Sequence, residues 1–466
     1  MRLLWLALTT AAGWPAPAAA QQPAATTQPS AAQAQQPAAP TQQPAATTQP
    51  PAATSPLRVV TWNLGWHLDQ AQAGRWIQAC SAPFALDPAD RRWKPSATGR
   101  PGWELPWRRD APIQWDVAQL PPCDVFRDFF RTVAVTPASY ARRAQQIARV
   151  LQTIAPDVIA FQEVSGPLAV EQVLPDGGRD YEVCSYTGHS VQRLAFAWRR
   201  SRASQAEPCE VREALGLPQR EAAQRSRPGL SVGLRVEGRL IRFLNVHLKS
   251  SCVSPLESTD PDGRGQLAGN HPACETLQAQ LAPLESWLQD SSAGDTPVVM
   301  LGDFNRQLSH EARRPADEPV RLPAGQPRDP PRAGVRSTSL WREVNDGDPP
   351  ASRLVLLEAQ CRSSPGIGAS PAIGSSPDIS ELCDLAATRP LDRDETRRLA
   401  SREGLGCRNP IGLDHIAISP ALRALSPAVK IPIGVFGSTR KATPERPDPL
   451  LAVSDHCPLT AVIALP

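Results

Sequence analysis

Beyond its first 20 or so residues, this chain of 466 residues has no apolar run long enough to cross a membrane, since a helical span takes roughly 20 apolar residues in succession. The rest of the sequence is therefore expected to be soluble or peripheral. An excess of one charge is also missing: 49 Lys and Arg stand against 46 Asp and Glu, a formal net charge of +3. Such a balance predicts neither condensation on nucleic acid nor avoidance of it. No two of the 10 cysteines form a C-x-x-C pattern, which removes the commonest zinc and dithiol motifs.

What is present begins with an export pattern. Arg2, the apolar run Leu3-Leu4-Trp5-Leu6-Ala7-Leu8 and the small residues Pro17-Ala18-Ala19-Ala20 read as a secretory signal peptide over 1–20. Residues 21–56 use almost only Pro, Ala, Gln, Thr and Ser, and one nine-residue string starts at both Gln21 and Gln42. A tract with nothing to bury is expected to be a disordered, partly polyproline-II linker. Behind an export signal the cysteines fit an oxidising compartment, secreted or periplasmic. Closeness in the chain suggests Cys80 with Cys123, Cys184 with Cys209 and Cys252 with Cys274. Cys361, Cys383 and Cys407 compete for one further bridge, and Cys457 is expected to stay reduced and buried.

From Leu57 onward the pattern alternates strands and helices. Leu57–Asn63 reads as a strand. Residues 74–135 have poor periodicity and interleave Trp76, Trp93, Trp103, Trp107 and Trp115 with arginines, which marks an insertion. Its tryptophans are expected to form a satellite core rather than a surface that stacks bases, sugars or lipid. Thr136 and Pro137 start a helix that Pro156 ends, and Asp157–Glu163 is a buried strand finishing on a carboxylate. Further strands cover Arg193–Trp198, Leu230–Val236 and Leu240–Leu248. A helix carries Leu277, Leu281, Leu284 and Leu288, and Val298–Leu301 is a strand buried on both faces. Gly302 is expected to turn the chain out of the sheet, with Asp303 and Asn305 on one side beyond it. Residues 309–400, rich in Pro, Arg, Ser and Gly, read as a second insertion and chiefly a solvated loop. Leu413–Ile418 and Leu459–Leu465 complete the strands.

Asn63, Glu163, His247, Asp303, Asn305, Asp414, Asp455 and His456 thus all lie at or beside apolar strand ends, the way α/β folds assemble sites from distant segments. The ordered blocks Thr61-Trp62-Asn63, Gln162-Glu163-Val164, Asn245-Val246-His247-Leu248, Gly302-Asp303-Phe304-Asn305, Leu413-Asp414-His415-Ile416 and Ser454-Asp455-His456-Cys457-Pro458 make residues 57–466 resemble the endonuclease/exonuclease/phosphatase superfamily, the deoxyribonuclease I-like fold.

That resemblance implies an α/β fold, a four-layer sandwich of two packed mixed sheets flanked by helices. It also implies cleavage of phosphate esters with a divalent metal, usually Mg²⁺, with Mn²⁺ or Ca²⁺ as alternatives. Glu163, helped by Asn63 and Asp455, would supply hard oxygen ligands. His456 would be the general base, oriented by Asp414. His247 would donate to a phosphoryl oxygen or to the leaving group, while Asp303 and Asn305 align water and phosphate. A His in the His247 block leans towards the deoxyribonuclease I and sphingomyelinase side. The expected function is an exported metal-dependent phosphodiesterase, with nucleic acid as the foremost substrate. A phospholipid, sphingomyelin or sugar-phosphate substrate is the alternative, and a non-catalytic envelope-binding module the third reading.

Overall fold

A computed structural model describes residues 55–107, 112–188, 190–256, 265–314, 337–361, 377–402, 404–409 and 412–465. The expected signal peptide and nearly all of the linker lie outside the described residues, as do Arg108, Arg109, Arg328, Arg332 and Arg336 of the two insertions.

Alternation of side chains along a strand builds the layers, because neighbouring residues of one buried strand face opposite ways. Val59 and Leu57 join one core while Val60 and Trp62 join another. The first sheet runs in the order Ala359–Gln360, Ala428–Lys430, Leu459–Ala464, Leu57–His67, Val158–Val164, Arg193–Arg199, Tyr181–Ser185, with Arg423–Ala424 also paired to Leu459–Ala464. The second runs Ser204–Arg212, Gly229–Val236, Arg239–His247, Val298–Asp303, Asp414–Ile418, Val355–Leu356. Both mix parallel and antiparallel pairs.

Between the sheets, Val59, Val158, Phe196 and Trp198 meet Leu230, Ile241, Phe243, Val299 and Ile416. On the outer face of the first sheet the helix Pro137–Ile154 buries Ile147, Val150 and Leu151 against Val60, Ile159 and Phe161. Thr136 caps that helix in a reciprocal box with Ser139, Pro137 opens it, and Ala155 ends it in the left-handed conformation, each a local signal for a helix boundary. The second sheet is covered by the helix Pro272–Ser292, whose Leu277, Leu281, Leu284 and Leu288 pack on Leu244, Val246 and Met300. The result is a mixed α/β sandwich with a helix layer on each outer face.

Two sequence expectations need correction. Gly302 does not turn the chain out of the sheet: it lies inside the Val298–Asp303 strand. A Cβ there would sit 2.1 Å from the Val246 carbonyl oxygen, and its φ is +144°, so glycine permits close backbone approach rather than an exit. The turn comes later, at Asn305, with φ +52°. Cys457 is not reduced, because Cys407 bridges it and Cys361 bridges Cys383. Alternation explains this: His456 faces the site, so Cys457 faces the outer core, where Cys407 also lies. The three remaining bridges are Cys80–Cys123, Cys184–Cys209 and Cys252–Cys274, and no cysteine is free.

A helix, Gln70–Ser81, enters the insertion expected over 74–135, where the poor periodicity predicts no regular element. Its Trp76 meets Trp103 edge-to-face at 5.3 Å between ring centroids. Together with Leu68, Phe126, Tyr140 and Leu451 they form a satellite core, against which Trp66, Trp107 and Trp115 are half-buried.

Candidate active site at the strand ends

Strand register assembles one row of the site. In the second sheet His247 pairs with Asp303 in parallel, and Asp303 pairs with Asp414 antiparallel. Three chemically active side chains therefore stand on adjacent strands at the same level. In the first sheet Asn63 pairs with Gln162, one residue before Glu163. The segment before Leu459–Ala464 is clamped onto the Leu57–His67 strand: Ser454 Oγ donates to the Asn63 carbonyl at 2.6 Å, and Trp62 Nε1 donates to the His456 carbonyl at 2.9 Å. Under the site the sheets are stitched by Gln162, whose amide donates to Asn245 Oδ1 at 2.8 Å and to Thr61 Oγ1 at 3.0 Å. Asn245 in turn donates to the Phe161 and Ala195 carbonyls. Buried amides so fully paired hold both rims in one registration.

His456 Nδ1 lies 3.1 Å from each oxygen of Asp414, and Lys430 Nζ donates to Asp414 Oδ2 at 2.6 Å and to the Cys457 carbonyl at 3.0 Å. The Asp414 and Lys430 side chains are fully buried. Burial opposes charge on Asp414, but Lys430 and His456 outweigh it and hold the carboxyl well below the usual range. Burial likewise works against a charged His456, yet Asp414 and Asp303 prevail and push its pKa up to about 10. Asp303 is itself raised to about 6, by burial first and by Asp414, against the pull of His456.

Asp303 Oδ2 is the meeting point of the row. It accepts from Asn63 Nδ2 at 3.0 Å and lies 3.6 Å from His247 Nε2 and 3.8 Å from His456 Nε2, while Oδ1 accepts from the Asn305 backbone N–H at 2.8 Å. His247 Nε2 is also 3.7 Å from Glu163 Oε1. Burial, followed by Arg227 and His456, holds the His247 pKa well below its ordinary value, so the ring is neutral. Two carboxylates facing Nε2 favour the tautomer with its proton there. Asn305 donates its side-chain amide to the Leu248 carbonyl at 3.1 Å. Both Glu163 and Asn305 have left-handed backbones, φ +58° and +52°, uncommon for residues with a Cβ and concentrated at functional sites.

Glu163, Asn63 and Asp455 converge on the turn that follows Asn63. Glu163 Oε2 accepts from the Trp66 N–H at 3.1 Å, and Asn63 Oδ1 accepts from the Gly65 N–H at 3.0 Å. Asp455 Oδ1 lies 3.0 Å from the position a Cβ on Gly65 would take. This donor set is all hard oxygen and suits a hard divalent cation. Asp303, Asp414 and His456 also bring ligand atoms within 4.8 Å of one another, but Asp414 and His456 Nδ1 are already saturated by each other and by Lys430. A cation there would have to displace the buried ammonium, so the Glu163 side is the better fit.

Sequence reading missed three neighbours. Lys430 left a signal, a lone cation in the apolar run Ala428–Ile433. Asn409, 3.2 Å from His456 Nε2 and 3.1 Å from Asp455 Oδ2, and Arg408, 3.0 Å from Asp455 Oδ2, left none, because an irregular segment delivers them.

Residues 113–456 match the model of the Endonuclease/Exonuclease/phosphatase family. The chain belongs to that family. It is accordingly a phosphoesterase hydrolase, of a family that generally uses divalent metals. No curated protein matches the chain. Among solved structures it is similar to an endonuclease/exonuclease/phosphatase family protein from Bacteroides thetaiotaomicron, at 12% identity and TM-score 0.41, covering 88% of this chain and 98% of that one. It is also similar to a mannosyl-6-phosphatase from Bacteroides thetaiotaomicron VPI-5482, at 11% identity and TM-score 0.38, covering 88% and 100%. The human Nocturnin catalytic domain with a bound sulfate anion is a third, at 14% identity and TM-score 0.37, covering 88% and 95%.

Proposed function

We propose that the chain is an exported, divalent-metal-dependent phosphodiesterase acting on nucleic acid. The observation that carries the chemistry is the buried Lys430–Asp414–His456 relay, which aims His456 Nε2 at Asp303. His456 takes the proton of the attacking water at Nε2, while Asp414, kept ionised by Lys430, holds Nδ1–H and stabilises the imidazolium. Asp303 orients that water, and Asn305 steadies Asp303 through its backbone N–H. Neutral His247 donates from Nε2 to a phosphoryl oxygen or to the leaving oxygen. Glu163, with Asn63 and Asp455, would hold Mg²⁺, for which Mn²⁺ or Ca²⁺ could substitute. When bound, the cation supplies Lewis-acid charge against the anionic transition state.

Because its neighbours raise the proton affinity of His456, only the fraction that has lost its proton acts as base, and kcat/KM is expected to rise with pH through the neutral range. Arg408 beside Asp455, with Arg227 acting on His247, supports a polyanionic substrate. The tryptophans of the first insertion are buried or half-buried, which leaves nucleic acid ahead of lipid or sugar at the site itself. Export is supported by the five disulfides and the apolar N-terminal pattern. The test is purified protein with plasmid DNA, RNA and a generic phosphodiester, with Mg²⁺ or chelator. Chelator-sensitive cleavage of the nucleic acids is expected; cleavage of the generic ester alone would move the substrate elsewhere, and no cleavage of any would reject the reading.

A further inference from the structure

The most exposed large apolar side chains among the described residues are adjacent: Phe129 at 86% and Phe130 at 93%. They form the two-residue tip of a hairpin whose strands are Arg127–Asp128 and Arg131–Thr132, with Asp128 paired to Arg131. Phe129 has φ +52°, a conformation that tight hairpins ordinarily assign to Gly or Asn. An aromatic residue thus occupies a position that favours glycine, and its ring reaches water rather than a core. Local folding gains nothing from either choice.

The base of the hairpin is fixed. Phe126 belongs to the satellite core, and Asp128 Oδ2 accepts from the Lys441 backbone N–H at 3.0 Å. That core also contains Leu68 and Leu451, chain neighbours of the site segments at Asn63 and Ser454–His456. Arg127 and Arg131 are exposed one residue from the ring pair or beside it, and Arg127 pairs with Asp124.

We propose that this hairpin docks the protein on a phospholipid bilayer. The two rings enter the interfacial zone, where aromatic side chains partition, and Arg127 and Arg131 lie at the phosphates of the headgroups, their alkyl stems alongside the rings. The area argues for a membrane over a second protein. Two phenylalanines bury on the order of 300–500 Å², well short of the roughly 1,200 Å² of a stable protein interface, whereas a bilayer accepts a tip of any footprint. The inference is independent of which phosphate ester the site cleaves.

The test is cosedimentation of the full chain with vesicles of phosphatidylcholine alone and of phosphatidylcholine with phosphatidylglycerol. Wild type is expected to sediment with both, more with the anionic vesicles. The double variant Phe129→Ser, Phe130→Ser should bind at least about tenfold more weakly, and Phe129→Trp, Phe130→Trp should retain binding. Hydrolysis of a small soluble phosphodiester should be unchanged in the serine variant. If the serine variant fails to fold, Arg131→Glu replaces it, with binding to anionic vesicles expected to fall. Wild type remaining in the supernatant, or binding that survives these changes at the tip, overturns the proposal. So does a dimer that the serine variant dissociates without any vesicle binding, since a second copy would then be the occupant.

Discussion

Asn305 and Phe129 share the same unfavourable backbone, φ +52°, in opposite surroundings. Asn305 is buried, its side chain tied to Leu248 and its N–H to Asp303. Phe129 stands in solvent on two short strands. In the first case surrounding hydrogen bonds over-determine the conformation, so the strain is locked into the site; in the second the turn holds a residue whose ring has no place in the fold. The same angle is thus held by hydrogen bonds inside the core at Asn305 and carried without any packing partner on the surface at Phe129.

The largest expected effect lies on the buried side. His456→Ala should lower kcat/KM for a generic phosphodiester about 10²- to 10⁴-fold, and a variant of unchanged activity would remove His456 as the base. Next comes Lys430→Met, which leaves the buried Asp414 carboxylate with His456 as its remaining charged partner and should cost about 3–5 kcal/mol in urea unfolding. A loss below about 1 kcal/mol would show that His456 alone suffices to hold the buried carboxylate.

The relay also sets a pH signature. Asp414 is depressed on folding, so its contribution is present above about pH 4 and lost as pH falls through its lowered value. His456 is raised to about 10, so its contribution is complete below about pH 6.5 and fades as pH climbs towards 10. Stability from the pair should peak between about pH 4 and 6.5. Asp414→Asn should flatten the urea midpoint between neutral and alkaline pH; an undiminished slope would assign it to other groups.

The smallest effect sharpens the surface side. Phe129→Gly relieves the left-handed residue and should change stability by no more than about 1 kcal/mol, in the stabilising direction. Asn305→Gly relieves the same angle but deletes the bond to Leu248, so it should destabilise by about 1–2 kcal/mol and lower activity. Equal responses at the two positions would erase the contrast drawn between them.

Much of the fold was legible because its signals are local. The Thr136 cap with Pro137, the leucine spacing of Pro272–Ser292 and the doubly buried runs at Leu57, Val158 and Val298 depend only on near neighbours in sequence. The helix Gln70–Ser81 was not legible, since its Gln, Gly and Ala content dilutes any apolar stripe. Among the residues that the fold gathers around Asp303 and Asp455, those ending apolar strands could be picked out from the sequence; Asn409 and Arg408 could not, because nothing in an irregular segment records which strand end it will reach.

The sequence alone determined which residue types stand at the strand ends, and so the phosphoesterase character of the chain. Tertiary structure decided how they combine. Register sets His247, Asp303 and Asp414 in one row, and alternation sends Cys457 to Cys407 and His456 to Asp414. Sheet packing encloses Lys430 against Asp414. These are relations between segments far apart in the chain, and the physics that selects them, burial of both sheet faces with every enclosed polar group paired, acts only once the sheets have closed on each other.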